Sequence, residues 1–312
     1  MGFEKKFSTV LNAPNEEDIE KIKKKIGENE DKIDKQLQIL YQWLDSKPKL
    51  PKNYDRTKVL NFLRVCSFDM EKCKRKLQAH FYVRHEYPSV FSNLNPRSKE
   101  ISEFPKIGNA LFLPNLTPNG ERIFFLSLHE FDIDKMDVHA YVKYSYMCYD
   151  LVLREPFPVS GDVIIMDGSG FTMKHFLKCI NTAVKDSVEI AYKGYLVRQK
   201  AIYVVNAPAA VDTMLATWKL FLTEKIRKRV VVSKNYEILT KTFPPHCLPE
   251  EYGGTLPKVN ELTRKWHEVM LNNEEWFQDQ EKCKTNEPPQ KEDNIYDDRF
   301  GVEGTFRKLT ID

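Results

Sequence analysis

The sequence predicts two units, an all-helical one followed by an α/β domain with a mostly parallel sheet. Three observations carry that prediction. Charged segments with apolar residues at helical spacing fill the first hundred positions, short apolar runs alternate with helix-length segments after Pro96, and turns rich in Gly, Pro and Asn bound those runs. Strands that alternate with helices pair in parallel through right-handed crossovers. The expected boundaries are a helical domain over 1–95, an α/β domain over 96–280 and a tail over 281–312. A chain of 312 residues with 41% apolar side chains can bury a core in each unit.

From Asn15 to Leu44 the chain is charged and helical, and Ile33, Leu37, Leu40, Tyr41 and Leu44 form the apolar stripe of its second half. Pro48 to Pro51 interrupts it. Asp55 caps a helix over DRTKVLNFLRV, and Asp69 caps the next, which stops before Pro88. Arg122–Leu128 and Gly161–Asp167 are β-runs, separated by an aromatic-rich helix over Asp137–Leu153. A single helix is expected over Met173–Ile190, a strand over Ala201–Val205 and a last helix over Asn260–Phe277. Asn286–Asn294 has the composition of a spacer.

Charge and cysteine usage exclude several classes of function. The 48 basic and 45 acidic residues leave a net charge of +3, so no global field directs the chain to nucleic acid, and anion recognition must come from local clusters. The 6 cysteines lack CxxC or zinc spacing and read as reduced cytosolic thiols. No run approaches the ~18 apolar residues of a membrane span, and MGFEKKFSTV has no apolar signal core. A cytoplasmic monomer with reversible, peripheral membrane contact is the expectation.

Catalytic patterns are absent. The loop Asp167-Gly-Ser-Gly170 has neither Walker nor dinucleotide glycine spacing, and Ser169 does not sit in GxSxG. Asp132, Asp134 and Asp137 lack the spacing of a calcium loop, and the histidines form no HExxH. The expectation is a binding protein, not an enzyme, with no cofactor and no metal.

Tyr195–Gly254 is the stretch around which the rest is organised. A strand carrying Arg198 and Lys200 on the face of Ile202 and Val204, if the period of two holds, is followed by a break at Asn206-Ala-Pro208. Val211, Met214, Leu215, Trp218 and Leu222 then form one helical stripe, which Lys225 and Arg229 continue as cations. Such a helix can cover an apolar cavity at one end and meet anions at the other. A core helix shows the same stripe, and cations in a last turn complement the macrodipole without any ligand.

Ordered pieces across residues 30 to 275 resemble the CRAL-TRIO lipid-binding family, in its tocopherol- and retinaldehyde-carrying branch. They are VLNFLRVCSFDMEKCKRKL from Val59, GDVIIMDGSGF from Gly161, YLVRQKAIYVVNAP from Tyr195, LFLTEKIRKRV from Leu220 and CLPEEYGG from Cys247. The resemblance implies a sheet floor enclosing one apolar pocket beneath a mobile gate helix at about 209–228. The gate would present Val211, Met214, Leu215, Trp218, Phe221 and Leu222. The pocket would be lined by Tyr141, Tyr144, Tyr149, Met166, Phe171, Tyr195, Val197, Gln199, Ile202 and Val204.

A phosphoinositide headgroup would dock on Arg198, Lys200, Lys225 and Arg229. Cys66 falls where the tocopherol branch carries an arginine, and Gln199 and Asp162 fall where it is apolar. The implied function is carriage of a small hydrophobic molecule such as a tocopherol, retinoid or carotenoid, with release assisted by phosphoinositides at an anionic membrane surface. A phosphatidylinositol or phospholipid sensor acting as a regulatory scaffold is the alternative.

Overall fold

The computed structural model describes residues 9–52, 54–129, 133, 137–180, 183–195, 198–208, 216 and 224–289. Side-chain caps start the helices of the first unit. Asn15 accepts from the Asp18 amide ahead of α1 (Glu16–Ile26), Asn29 caps α2 (Glu30–Ser46), Asp55 caps α3 (Arg56–Val65) and Asp69 caps α4 (Met70–Glu86). Each cap satisfies an amide that the helix itself leaves unpaired. Leu37, Leu40, Val59, Phe62, Leu63 and Leu77 bury the inner faces. Short helices α5 (Pro88–Phe91) and α6 (Lys99–Ser102) lead into the second unit.

Among the described residues five strands form one sheet in the order β1-β2-β3-β4-β5. β1 (Gly108–Phe112) is antiparallel to β2 (Glu121–Leu128). β3 (Gly161–Asp167), β4 (Gln199–Val205) and β5 (Val230–Val232) continue in parallel. Between β2 and β3 runs α7 (Val138–Val152), capped by Asp137. Between β3 and β4 lie α8 (Met173–Ile180) and α9 (Ala183–Lys193). A short α10 (Glu224–Arg227) precedes β5.

Strand alternation and register sort the sheet into two faces. Ile123, Phe125, Val163, Ile165 and Tyr203 point to one face, which α11 (Glu237–Thr242), the Glu250–Tyr252 turn and α12 (Val259–Leu271) cover. Here Phe125 packs on Tyr252 and Tyr203 on Phe243, with ring centroids 5.1 and 5.4 Å apart. The opposite face carries Phe112, Phe124, Leu126, Asp162, Ile164, Met166, Ile202 and Val204. Tyr149 of α7 covers its near end, 4.8 Å from both Phe112 and Phe124.

A buried polar cluster joins the helical unit to the sheet unit. Arg84 of α4 donates to the Asp150 carboxylate at 2.7 Å and to the Tyr195 hydroxyl at 2.9 Å, and Tyr195 donates back to Asp150 at 2.8 Å. Arg84 also donates to the Gln280 carbonyl in α13 (Glu274–Gln280), whose side chain accepts from the buried Lys58. Asn61 of α3 holds the Leu153 and Glu155 carbonyls, and Arg64 binds Glu28 through two nitrogens while donating to the Pro156 carbonyl.

The structure departs from the sequence reading in four places. β1 was not expected, because GNALF has no alternation of apolar and polar residues. β5 was not expected, because VVV is short and follows a basic run. The helix expected over 260–277 breaks at Asn272-Asn273 into α12 and α13. β4 begins at Gln199 and bulges: Gln199 pairs with Asp162 and Ala201 with Val163, leaving Lys200 as the extra residue. The period of two therefore does not carry Lys200 onto the face of Ile202 and Val204.

Two consequences can be measured. Asp150→Ala would leave the Arg84 guanidinium buried without its carboxylate, at about 3–5 kcal/mol of stability in urea unfolding, whereas Glu17→Ala at the exposed Lys21 pair should leave the midpoint unchanged. His80 is fully buried, with Nδ1 3.0 Å from the Gly194 carbonyl and Nε2 unpartnered. Burial, then the charges of Lys58 and Arg84, hold its pKa well below the usual 6.5. Below pH 6.5 the unfolded chain takes up a proton that the folded one resists, so this contribution is present above 6.5 and lost as the pH falls. His80→Leu should flatten the acid side of the stability profile by up to one proton.

An apolar sheet face and a cationic cleft

Four side chains at the centre of the sheet, Leu126, Ile164, Met166 and Ile202, are only half-buried, although Ile123, Phe125, Val163 and Ile165 on the opposite face of β2 and β3 are buried. Val204 adjoins them at 8% exposure, and Phe171 is half-buried after the turn that ends β3. α8 continues the apolar character with Met173 and Leu177, 37% and 56% exposed. The DGSG turn beside this face is structural. Asp167 accepts from the Ser169 amide and the Asn206 amide group, and Tyr252 donates its hydroxyl to the same carboxylate.

The expected pocket residues fall into separate groups. Met166, Ile202 and Val204 share the half-open face, and Gln199 lies at its end. Tyr149 and Tyr195 are packed beside the Arg84 cluster, with ring centroids 6.3 Å apart. Tyr141 and Tyr144 lie at the β1 edge against Phe104, and the Tyr141 hydroxyl donates to the Asn109 carbonyl. Val197 and the expected gate residues Val211, Met214, Leu215, Trp218, Phe221 and Leu222 lie outside the described residues.

One end of the apolar face is polar. Arg122 and Asp162 stand opposite each other on β2 and β3, fully buried, with Nε 2.7 Å from Oδ1. The guanidinium also sits 5.1 Å over the Phe112 ring. Gln199 donates to the Ala201 carbonyl at 2.6 Å. Burial raises the Asp162 pKa, and Arg122 pulls it back.

Beyond the bulge of β4 lies a cleft of cations. Arg198 donates to the Val65 carbonyl at 2.7 Å and to the Ser67 hydroxyl, and Arg229 donates to the Gln199 carbonyl. Ser67 and Phe68 are left-handed, at φ 53° and 61°, which turns the α3–α4 junction so that it can meet Arg198. Lys200 lies flat over Gly161, where a Cβ would come within 2.6 Å of both its side chain and the Arg198 carbonyl. Its pKa is lowered by burial first and next by Lys25, with Arg198 and Arg229 adding to the effect. The side chain of Lys225 is outside the described residues.

Sequence reasoning missed Lys25, Lys76 and the two floor residues Leu126 and Ile164. Lys25 ends α1 and donates to the Asn119 carbonyl at 3.0 Å. Ser160 binds that same carbonyl, next to Gly161. Lys76 donates to the Tyr192 carbonyl at 2.5 Å, and burial pushes its pKa down to about 8. Cys66 is buried beside them. A hydrogen bond with Cys73 lowers its pKa, and Lys76, Lys72 and Arg198 lower it further. The basic run KCKRK was the signal for Lys76, but nothing local marked Lys25. Among the described residues no cluster of His, Cys, Asp or Glu could hold a metal ion, and no helix is long and apolar enough to cross a membrane.

A helical leader, a mostly parallel sheet with one half-open apolar face and a cleft of cations at its edge together define an α/β ligand-binding architecture. The family model described as the CRAL/TRIO domain matches residues 107–254, and one described as a Pinta-like UBA domain matches residues 29–101. Residues 107–254 thus carry a CRAL/TRIO domain. The chain is 29% identical over 235 residues to alpha-tocopherol transfer protein-like of Mus musculus, covering 74% of this chain and 66% of that protein. Clavesin-2 of Rattus norvegicus is 26% identical over 261 residues, covering 83% and 79%. In fold the chain is similar to the crystal structure of Sfh5, with TM-score 0.50 at 17% identity over 81% of this chain and 93% of that one.

Proposed function

We propose that the protein carries one small hydrophobic molecule against the face of Leu126, Ile164, Met166, Ile202 and Val204, and that contact with phosphoinositides at the cationic cleft promotes its release to a membrane. The observation that supports carriage is the asymmetry of β2 and β3, buried on one face at Ile123, Phe125, Val163 and Ile165 and half-open and apolar on the other at Leu126, Ile164 and Met166. Removing ~400 Å² of apolar ligand surface from water is favourable by roughly 10 kcal/mol before association costs. Affinity is therefore easily reached, and release is the harder step. A door helix over 209–228 with an apolar inner face would open most readily where a bilayer receives that face. Relatives named for tocopherol transfer are in keeping with this reading.

The cleft favours an anionic partner because Lys25, Arg198 and Arg229 donate to carbonyls, which leave their charge in place. Among the described residues, Lys25, Arg198, Lys200 and Arg229 each lack a carboxylate within ion-pair distance, although Glu121 acts on Lys200 from farther away. The polar amide of Gln199 at the end of the floor is what favours the second reading, a phospholipid carrier or sensor.

Solvent extraction and native mass spectrometry of the purified protein should reveal one apolar molecule per chain. A phospholipid would move the conclusion to the second reading, and a chain that takes up no lipid when offered a mixture would end both. Basic side chains near anionic lipid contribute about 1 kcal/mol each. Lys200→Ala/Arg229→Ala should therefore weaken binding to phosphatidylinositol-bisphosphate vesicles by about thirtyfold, and Lys25→Ala alone by about fivefold. Unchanged vesicle binding by all three substitutions, in folded protein, would remove the cleft from the release step.

A further inference from the structure

We infer that the bound molecule ends in a hydroxyl group and that Asp162 receives it. The inference rests on the carrier reading above and adds the chemistry of the ligand's polar end. Asp162 is fully buried at 0% exposure, and its two carboxylate oxygens are not equivalent. Oδ1 lies 2.7 Å from Arg122 Nε, whereas Oδ2 is buried without any hydrogen-bond partner. The Gln199 amide, its neighbour across the bulge, is turned to the Asp162 and Ala201 carbonyls at 3.4 and 2.6 Å and does not serve Oδ2.

The unserved oxygen belongs to a residue on the apolar face. β3 places Asp162, Ile164 and Met166 on one side at alternate positions, and register sets Arg122, Phe124 and Leu126 beside them on β2. An apolar chain lying along Ile164 and Met166 would thus have the carboxylate at one of its ends. Burial raises the Asp162 pKa and the Arg122 guanidinium at 2.7 Å works against it, and a carboxylate paired with a guanidinium accepts hydrogen bonds at its remaining oxygen. The matching ligand group is a donor. A cation is disfavoured because Arg122 already balances the charge, and a ligand carboxylate or phosphate would meet Oδ2 as a second anion. A terminal alcohol supplies the donor without added charge. It satisfies an oxygen that otherwise stays desolvated and unpaired, which is the costly state for a buried acceptor.

The test uses two matched pairs of lipids: all-trans-retinol with all-trans-retinyl methyl ether, and 1-hexadecanol with hexadecyl methyl ether. Each pair keeps its chain and differs in the donor. The alcohols should bind about tenfold or more tightly than the ethers, as expected for a hydrogen bond to a charged group. Arg122→Met/Asp162→Leu removes the ion pair as a unit and leaves no lone buried charge, and it should bring that ratio to about one while the ethers keep their affinity. Equal affinities in the unaltered protein would overturn the inference and leave carriage standing. A preference that survives the double substitution would place hydroxyl recognition elsewhere and overturn it too. Failure of all four lipids to bind would overturn the inference together with the carrier reading.

Discussion

The buried triad of Arg84, Asp150 and Tyr195 is the constraint on which the arrangement depends. Its members come from α4, from α7 and from the chain just before β4, so the helical unit and the sheet unit share one hydrogen-bonded charge pair. A buried charge is costly to leave without its opposite. The triad therefore specifies how α4 lies against α7. That in turn puts Tyr149 over Phe112 and Phe124 and leaves the neighbouring Ile164 and Met166 less covered.

The same docking assembles the cleft. The α3–α4 turn reaches Arg198 only because α4 is fixed against the sheet unit, and α1 brings Lys25 near Lys200 because Glu28 is bound to Arg64. Residues far apart in sequence thus place their cations around one bulge. Like charges held this closely repel one another, and the lowered pKa of Lys200 records that repulsion together with the loss of water. An anion seated among them would relieve both effects. The half-open apolar face and the cleft are joined through β4, since Arg198 and Lys200 flank Gln199, the residue paired with Asp162.

Local signals made much of the fold legible. Asp55, Asp69 and Asp137 each precede an apolar periodic run, and all three cap the helices expected after them. GDVIIMD and AIYVV are β-branched runs between turns, and both are strands. What could not be read depends on pairing partners. β1 owes its existence to antiparallel contacts with β2, and the bulge at Lys200 is a property of two strands together. Asn272-Asn273 lies within a continuing apolar pattern, so its break carries no period signal. Met166, Ile202 and Val204, which only the family resemblance singled out, share one face of the sheet. Tyr144, by contrast, shares the aromatic-rich helix with Tyr149 but meets Phe104 at the sheet edge, because successive turns of α7 face different neighbours.

Gly194 lies where α9 ends and the chain turns toward Tyr195. A Cβ there would come within 2.3 Å of a Val83 methyl and 3.2 Å of the Ala79 carbonyl and the His80 backbone. The seam between the two units has no slack at this point, so neither surface can drift in shape while the other stays as it is. A helical unit with a bulkier side chain at Val83 would therefore part the seam at Gly194.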